Sequence, residues 1–110
     1  AMTGHKIDLL KADARASFTV IGQDEIIPEQ YTSYFRSVVC TGRLRQLTDP
    51  DERLEELLFV AERFWPGHEE KAREEIAPAF DHTFVMVLDI ETMTGKEAVE
   101  LARRRRAGEL

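Results

Sequence analysis

Residues Thr3-Gly4-His5-Lys6 place the ingredients of an anion cradle side by side. A helix that begins here leaves its first N–H groups without intrahelical acceptors and carries partial positive charge at that end. Glycine lets a ligand approach the backbone closely. His5 and Lys6 add side-chain donors, and Lys6 is a permanent cation at neutral pH. Such an entrance suits a monophosphate. The same residues also read as an ordinary short helix start with a solvated lysine, and taken alone they leave both readings open. A second candidate is Arg36-Ser37-Val38-Val39. A serine at the start of a strand can hydrogen-bond the polar edge of a ligand ring, with Arg36 beside it; equally, it is a surface serine on a sheet.

The remaining reactive side chains carry less. His5, His68 and His82 show no metal-ligand spacing and read as solvent-exposed histidines. Cys40 lies among apolar neighbours and reads as a small buried hydrophobe, since nothing adjacent would lower its pKa. Glu69-Glu70 and Glu74-Glu75 read as a solvated helix face. Arg103 to Arg106 could touch an anionic partner, but at the end of an acidic protein they read as a solvated tail. Phe64-Trp65 is a core or dimer contact before it is a ligand platform.

The elements that must position these residues follow from capping and periodicity. Thr3 is a plausible N-cap for a short first helix, with Ile7, Leu10 and Ala14 on one face and Leu9 widening it. Ala16 to Ile21 reads as a strand with Ala16, Phe18 and Val20 on one side, followed by a polar loop from Gly22 to Glu29 broken at Pro28. Arg36 to Leu47 reads as a second strand. Val38, Cys40 and Leu44 point one way, and Gly42 marks a bulge or close approach. Asp49-Pro50-Asp51-Glu52 opens the clearest helix, with an N-cap, a proline at the first position and a glutamate at the third. Leu54, Leu57, Leu58, Ala61, Phe64 and Trp65 form its apolar stripe, and Pro66-Gly67 stops it. His68 to Ile76 is a second, charged helix. Thr83 to Thr92 is a third strand with Phe84, Met86, Leu88 and Ile90 on its dry face. Lys96 to Arg106 reads as a terminal helix whose arginines suit the macrodipole.

Three strands and three or four helices within 110 residues predict one small α+β domain over residues 1–110. Three strands leave two open edges, which points to further strands or an obligate partner. Acidic residues number 21 against 15 basic, for a net charge of -6, so a phosphate backbone finds no general basic face and nucleic-acid binding is disfavoured. The single cysteine excludes an internal disulfide. No apolar run approaches the ~20 residues of a transmembrane helix, and no signal peptide is recognisable. The expectation is therefore a cytoplasmic protein with no membrane partner.

Several of these segments, in this order, resemble one family. Ala1 to Leu10 is similar to the phosphate-binding turn and helix of the pyridoxamine 5'-phosphate oxidase-like, FMN-binding split barrels, specifically the branch related to nitroimidazole-resistance proteins. That turn reads small-x-x-Gly-x-Lys before an Ile-Asp-Leu-Leu-like helix. Tyr34-Phe35-Arg36-Ser37-Val38-Val39-Cys40-Thr41-Gly42 resembles the branch's aromatic-x-Ser-Val strand, with Phe35 where tyrosine is frequent. Leu47 to Glu52 is similar to its strand exit into a helix, and Ile90 to Lys96 to its last strand and Thr-Gly-Lys close. The resemblance implies an antiparallel six-stranded split barrel with flanking helices, forming a homodimer with flavin mononucleotide (FMN) at the subunit interface. It implies that His5 and Lys6 hold the flavin phosphate, that Thr3 and Gly4 shape the turn, and that Ser37, with Arg36 beside it, faces the flavin from its own or the partner subunit. The family's first strands precede the phosphate turn and are not found ahead of Ala1, so the expectation is a barrel lacking its N-terminal strands and completed by dimerisation.

Two functions are compatible with this reading. One is an FMN-dependent oxidoreductase acting on a small molecule, pyridoxamine-phosphate-oxidase-like or nitroreductase-like. There the flavin carries the redox chemistry while the protein binds and orients; no side chain reads as an obligate acid or base, in keeping with that division. The other is a non-catalytic dimeric binding or scaffold protein that has lost the flavin site.

Overall fold

A computed structural model describes residues 1–109 of the chain. The order of elements is α1 (His5–Ala12), β1 (Arg15–Ile27), β2 (Thr32–Gln46), α2 (Pro50–Phe64), α3 (Glu69–Ile76), β3 (Met86–Glu97) and α4 (Val99–Arg106). Short 3-10 segments, Pro28–Gln30 and Ala77–His82, link β1 to β2 and lead from α3 towards β3. The strands form one antiparallel sheet in the order β1-β2-β3. The chain is thus α+β, as expected, and is compatible with a split-barrel domain. Its residues sort into two compact units, 1–14 with 44–89 and 15–43 with 90–109.

The first unit contains α1, α2 and α3. The Asp49 side chain accepts from the Glu52 amide at 3.0 Å, and Pro50 occupies the first helical position, so α2 starts where the sequence places it. Leu54, Leu57, Leu58 and Ala61 are half-buried along its inner face. The expected stripe ends there, because Phe64 is 86 % exposed and Trp65 stacks on the His68 ring, with centroids 3.5 Å apart. Arg53 fastens α2 to the segment after α3. Its Nη2 donates to the carbonyls of Phe80 at 2.6 Å and Thr83 at 2.8 Å, and its guanidinium lies over the Phe80 ring. Ile7 of α1 and Leu47 are the buried residues of this unit, and the Leu47 amide donates to the Val85 carbonyl. Leu9 is exposed and does not widen the α1 face. Residues 83–85, expected as the start of the third strand, are irregular; β3 begins at Met86.

In the second unit β1 and β2 form a long antiparallel hairpin, from Arg15 opposite Arg43 to Ile27 opposite Thr32. The expected loop at Gly22–Glu29 is mostly strand. Cross-strand hydrogen bonding carries Gln23 to Ile27 past their polar composition, and only Pro28 ends the run. The irregularity in register falls between Ile21 and Gln23, at Gly22; Gly42 pairs regularly with Ala16 and is not the expected bulge. The turn is held by the Tyr31 amide donating to the Pro28 carbonyl, and by a 2.9 Å bond between the Tyr34 hydroxyl and Gln30.

The last strand also runs further than its sequence pattern. Met93 to Glu97 stay extended, so Lys96 and Glu97 belong to β3 and α4 starts only at Val99. The reason is cross-strand bonding: the Ala98 amide donates to the Phe35 carbonyl at 2.9 Å, and Glu97 is bound by Arg36 of β2. Along the same pair of strands Arg43 faces Glu91, and the Thr41 and Thr92 hydroxyls share a hydrogen bond. A small core of Tyr34, Ala98 and Leu101, flanked by Ile27, seats α4 on this unit. Cys40 is buried, as expected of a small hydrophobe. Several large apolar side chains of the unit stay exposed, among them Phe18 and Val20 of β1 and Ile90, which the sequence pattern assigns to the dry face of the third strand.

Candidate functional site

The first candidate constellation lies at the entrance to α1. Gly4, not Thr3, is the N-cap, and its φ of 141° lies in the range that favours glycine. The expected Thr3 cap is therefore absent: the chain turns into the helix one residue later, through a backbone conformation that threonine avoids. The first intrahelical bond runs from the Asp8 amide to the Gly4 carbonyl at 3.0 Å. The amides of His5, Lys6 and Ile7 precede it, and no side chain among the described residues accepts from them. Thr3, Gly4, His5 and Lys6 are all exposed, and a Cβ placed on Gly4 would meet nothing within 4 Å. An accessible, uncapped helix start flanked by one lysine fits a phosphate group. The Asp8 carboxylate in the first turn opposes it in part.

The second constellation, in the unit built from β1, β2, the end of β3 and α4, is a cleft of ≈ 480 Å³. It is lined by Val20 and Gly22 of β1, Arg36, Ser37 and Val38 of β2, Gly95, Lys96 and Glu97 of β3, and Arg105 of α4. Arg36 and Ser37 thus share one cleft, while the Thr3–Lys6 entrance belongs to the other unit. Glu97 organises the charges. One carboxylate oxygen accepts from Arg36 Nε at 3.0 Å; the other accepts from Arg105 Nε at 3.0 Å and Nη2 at 2.6 Å. The bonds from Arg105, then those from Arg36, hold the Glu97 carboxyl below the usual carboxylate range. Arg36 Nη2 is buried and has no hydrogen-bond partner among the described residues.

Lys96, Glu97 and Arg105 escaped the sequence reading as a group. Periodicity put Lys96 and Glu97 into a terminal helix and left Arg105 in a solvated tail. The available signal was the Thr94-Gly95-Lys96 run, which is a poor helix opening and a good strand end. His68 stacks on Trp65 rather than standing free, and no group of three or more metal-ligating residues occurs among the described residues. None of the described helices is long and apolar enough to cross a membrane.

Both constellations lie chiefly within a segment that is shared with known proteins. A family model described as pyridoxamine 5'-phosphate oxidase matches residues 1–97. The chain belongs to that family. The matched segment contains the α1 entrance and all of the cleft except Arg105, since α4 begins at Val99. Among curated proteins no match is found. Members of the pyridoxamine 5'-phosphate oxidase family commonly bind flavin on a split-barrel fold.

Proposed function

We propose that this protein is an FMN-binding flavoprotein and an oxidoreductase acting on a small molecule. One observation carries the reading. The segment matched to the pyridoxamine 5'-phosphate oxidase family opens on an accessible, uncapped helix start with Gly4, His5 and Lys6 at its mouth. In this reading the amides of His5 and Lys6, the Lys6 ammonium and the turn formed by Thr3 and Gly4 hold the FMN phosphate. Ser37 offers a hydroxyl, and Arg36 beside it a cation, to the polar edge of a flavin ring held by its own or by the partner subunit. When bound, the flavin supplies the redox chemistry. The chain's own part is to bind and orient, and the bonding of Glu97 to two arginines keeps that carboxylate ionised and out of acid–base work. The finer placement, in the branch related to nitroimidazole-resistance proteins, rests on the Gly-x-Lys turn and the Arg36-Ser37-Val38 strand.

Homodimer formation belongs to the same proposal. β1 and β3 are the outer strands of a three-stranded sheet, and Phe18, Val20, Ile21 and Ile26 of β1 stay exposed. A second copy that covers these strands would bury them.

The experiment is direct. The purified protein should be yellow, with flavin absorbance that passes through a filter after denaturation. Lys6→Ala should weaken FMN by up to about fivefold, the range for losing one charge pair at an exposed position, whereas Lys11→Ala should leave retention unchanged. Equal losses in the two variants would remove Lys6 from the site. A colourless protein that does not take up FMN would favour the scaffold alternative.

A further inference from the structure

The arginine run of α4 has no part in the flavin reading, and α2 offers a surface that matches it. Phe59 of α2 is 62 % exposed, and Val60 beside it is exposed as well. Glu55 and Glu56 lie four and three residues before Phe59, Glu62 three after it and Glu52 seven before it, so carboxylates border the ring along the helix surface. All four glutamates are exposed. Glu62 accepts from the Gly67 amide, whereas no ion pair among the described residues engages Glu52, Glu55 or Glu56. The cations of α2 offset them little, since Arg53 is bound to the carbonyls of Phe80 and Thr83 and leaves Arg63 alone on this side. An aromatic ring rimmed by carboxylates suits guanidinium groups, which stack on rings and bond carboxylates. The chain itself lays Arg53 over Phe80 and Arg104 over Tyr34.

α4 carries the complement. Leu101 is its buried residue, and Arg105 on the same side is tied to Glu97. Val99, Arg103 and Arg106, spaced by four and three residues, form an exposed line along the opposite side, and no ion pair among the described residues engages either arginine. Phe59, Glu55 and Glu52 repeat that spacing in reverse on α2. Laid antiparallel, the two helices bring Val99 to Phe59, Arg103 to Glu55 and Arg106 to Glu52 over about 10 Å of helix length. We propose that α2 of one copy receives α4 of a second copy in this register. One chain carries both faces, so any two copies bring the complementary pair together. The contact is short, because α4 has 8 residues, and its association is weak and salt-sensitive. It does not rest on the flavoprotein reading, and it is separate from the apolar pairing of strand edges.

Sedimentation velocity of the full chain over a range of protein concentrations tests it. Self-association should be about three- to tenfold tighter at ~50 mM than at ~500 mM sodium chloride, where exposed pairs are screened. Arg103→Glu combined with Arg106→Glu should weaken it at least about fourfold, and Glu52→Arg combined with Glu55→Arg by a similar factor. Both variants change exposed residues, and their circular dichroism should match that of wild type. Mixed in equal amounts, the two variants should associate as tightly as wild type, because the mixture restores both pairings of opposite charge. Lys11→Glu on α1 should leave the association unchanged. A chain that stays monomeric at low salt would overturn the proposal. So would an association indifferent to salt and to both double substitutions, whether or not a dimer through the strand edges persists. Variants that each lose association and stay apart when mixed would overturn it too, since the contact between copies would then lie elsewhere.

Discussion

Shortening Leu101 to alanine tests whether the terminal helix is a seated part of the fold. Leu101 is 1 % exposed and packs with Tyr34 and Ala98, flanked by Ile27. Truncating a buried leucine to alanine costs about 2–5 kcal/mol, depending on how far the surroundings collapse into the cavity. This core is small, and α4 is only 8 residues long, so its neighbours can close in. The lower part of the range, about 2–3 kcal/mol, is therefore expected. In urea, with a slope of about 1–3 kcal/mol per molar for a small protein, the midpoint should fall by roughly 1–2 M with little change in slope. Val99→Ala on the same helix is the control. Val99 is 53 % exposed, and its truncation should stay within about 0.5 kcal/mol of wild type. Equilibrium unfolding followed by circular dichroism reads both variants. A Leu101→Ala protein as stable as Val99→Ala would show that α4 is not docked through this residue. The positioning of Arg105 beside Glu97 would then lose its physical basis.

Three further outcomes are expected. Asp49→Ala removes the cap of α2 and should cost about 1 kcal/mol, whereas Asp49→Ser should retain most of the stability; a neutral alanine variant would mean that the 3.0 Å bond to the Glu52 amide contributes nothing. The Glu97 carboxyl is held low in the folded state, so the unfolded chain binds its proton more readily. Its contribution is therefore present above the ordinary carboxylate range and is lost as pH falls through the lowered folded value. Glu97→Gln should accordingly flatten the acid limb of stability against pH, and an unchanged limb would show that the two arginines do not hold this charge. Finally, Gly4→Ala should destabilise the protein by about 1 kcal/mol or more, because φ of 141° strains any side chain even where space is open.

Signals written into the backbone were legible without coordinates. Asp49-Pro50 fixed the start of α2 because a side-chain acceptor and a proline act on their own turn, whatever packs nearby. Cys40 read correctly as buried because its apolar neighbours flank it along one strand. Arg36 and Ser37 line one cleft because they are neighbours within β2, but they do not start the strand as expected: backbone pairing with β1 extends it back to Thr32. That a helix opens after Thr3 was legible too, except that glycine's tolerance of positive φ moved the cap from Thr3 to Gly4.

What sequence could not supply was set by partners remote along the chain. Gln23 to Ile27 look like a loop and form a strand because β2 presents a complementary row of backbone groups to them. Lys96 and Glu97 look like a helix start and are extended because Phe35 and Arg36 bond the end of β3. Phe64 and Trp65 continue the apolar period of α2 but lie past the end of what the unit covers. Composition and local spacing therefore determined the fold class and the start of α2, and the resemblance of several segments in order pointed to the family. Only tertiary structure gathered Arg36, Lys96, Glu97 and Arg105 around one cleft, because a hydrogen bond between Arg36 and Glu97 depends on distance in space and is indifferent to the residues that separate them in the chain.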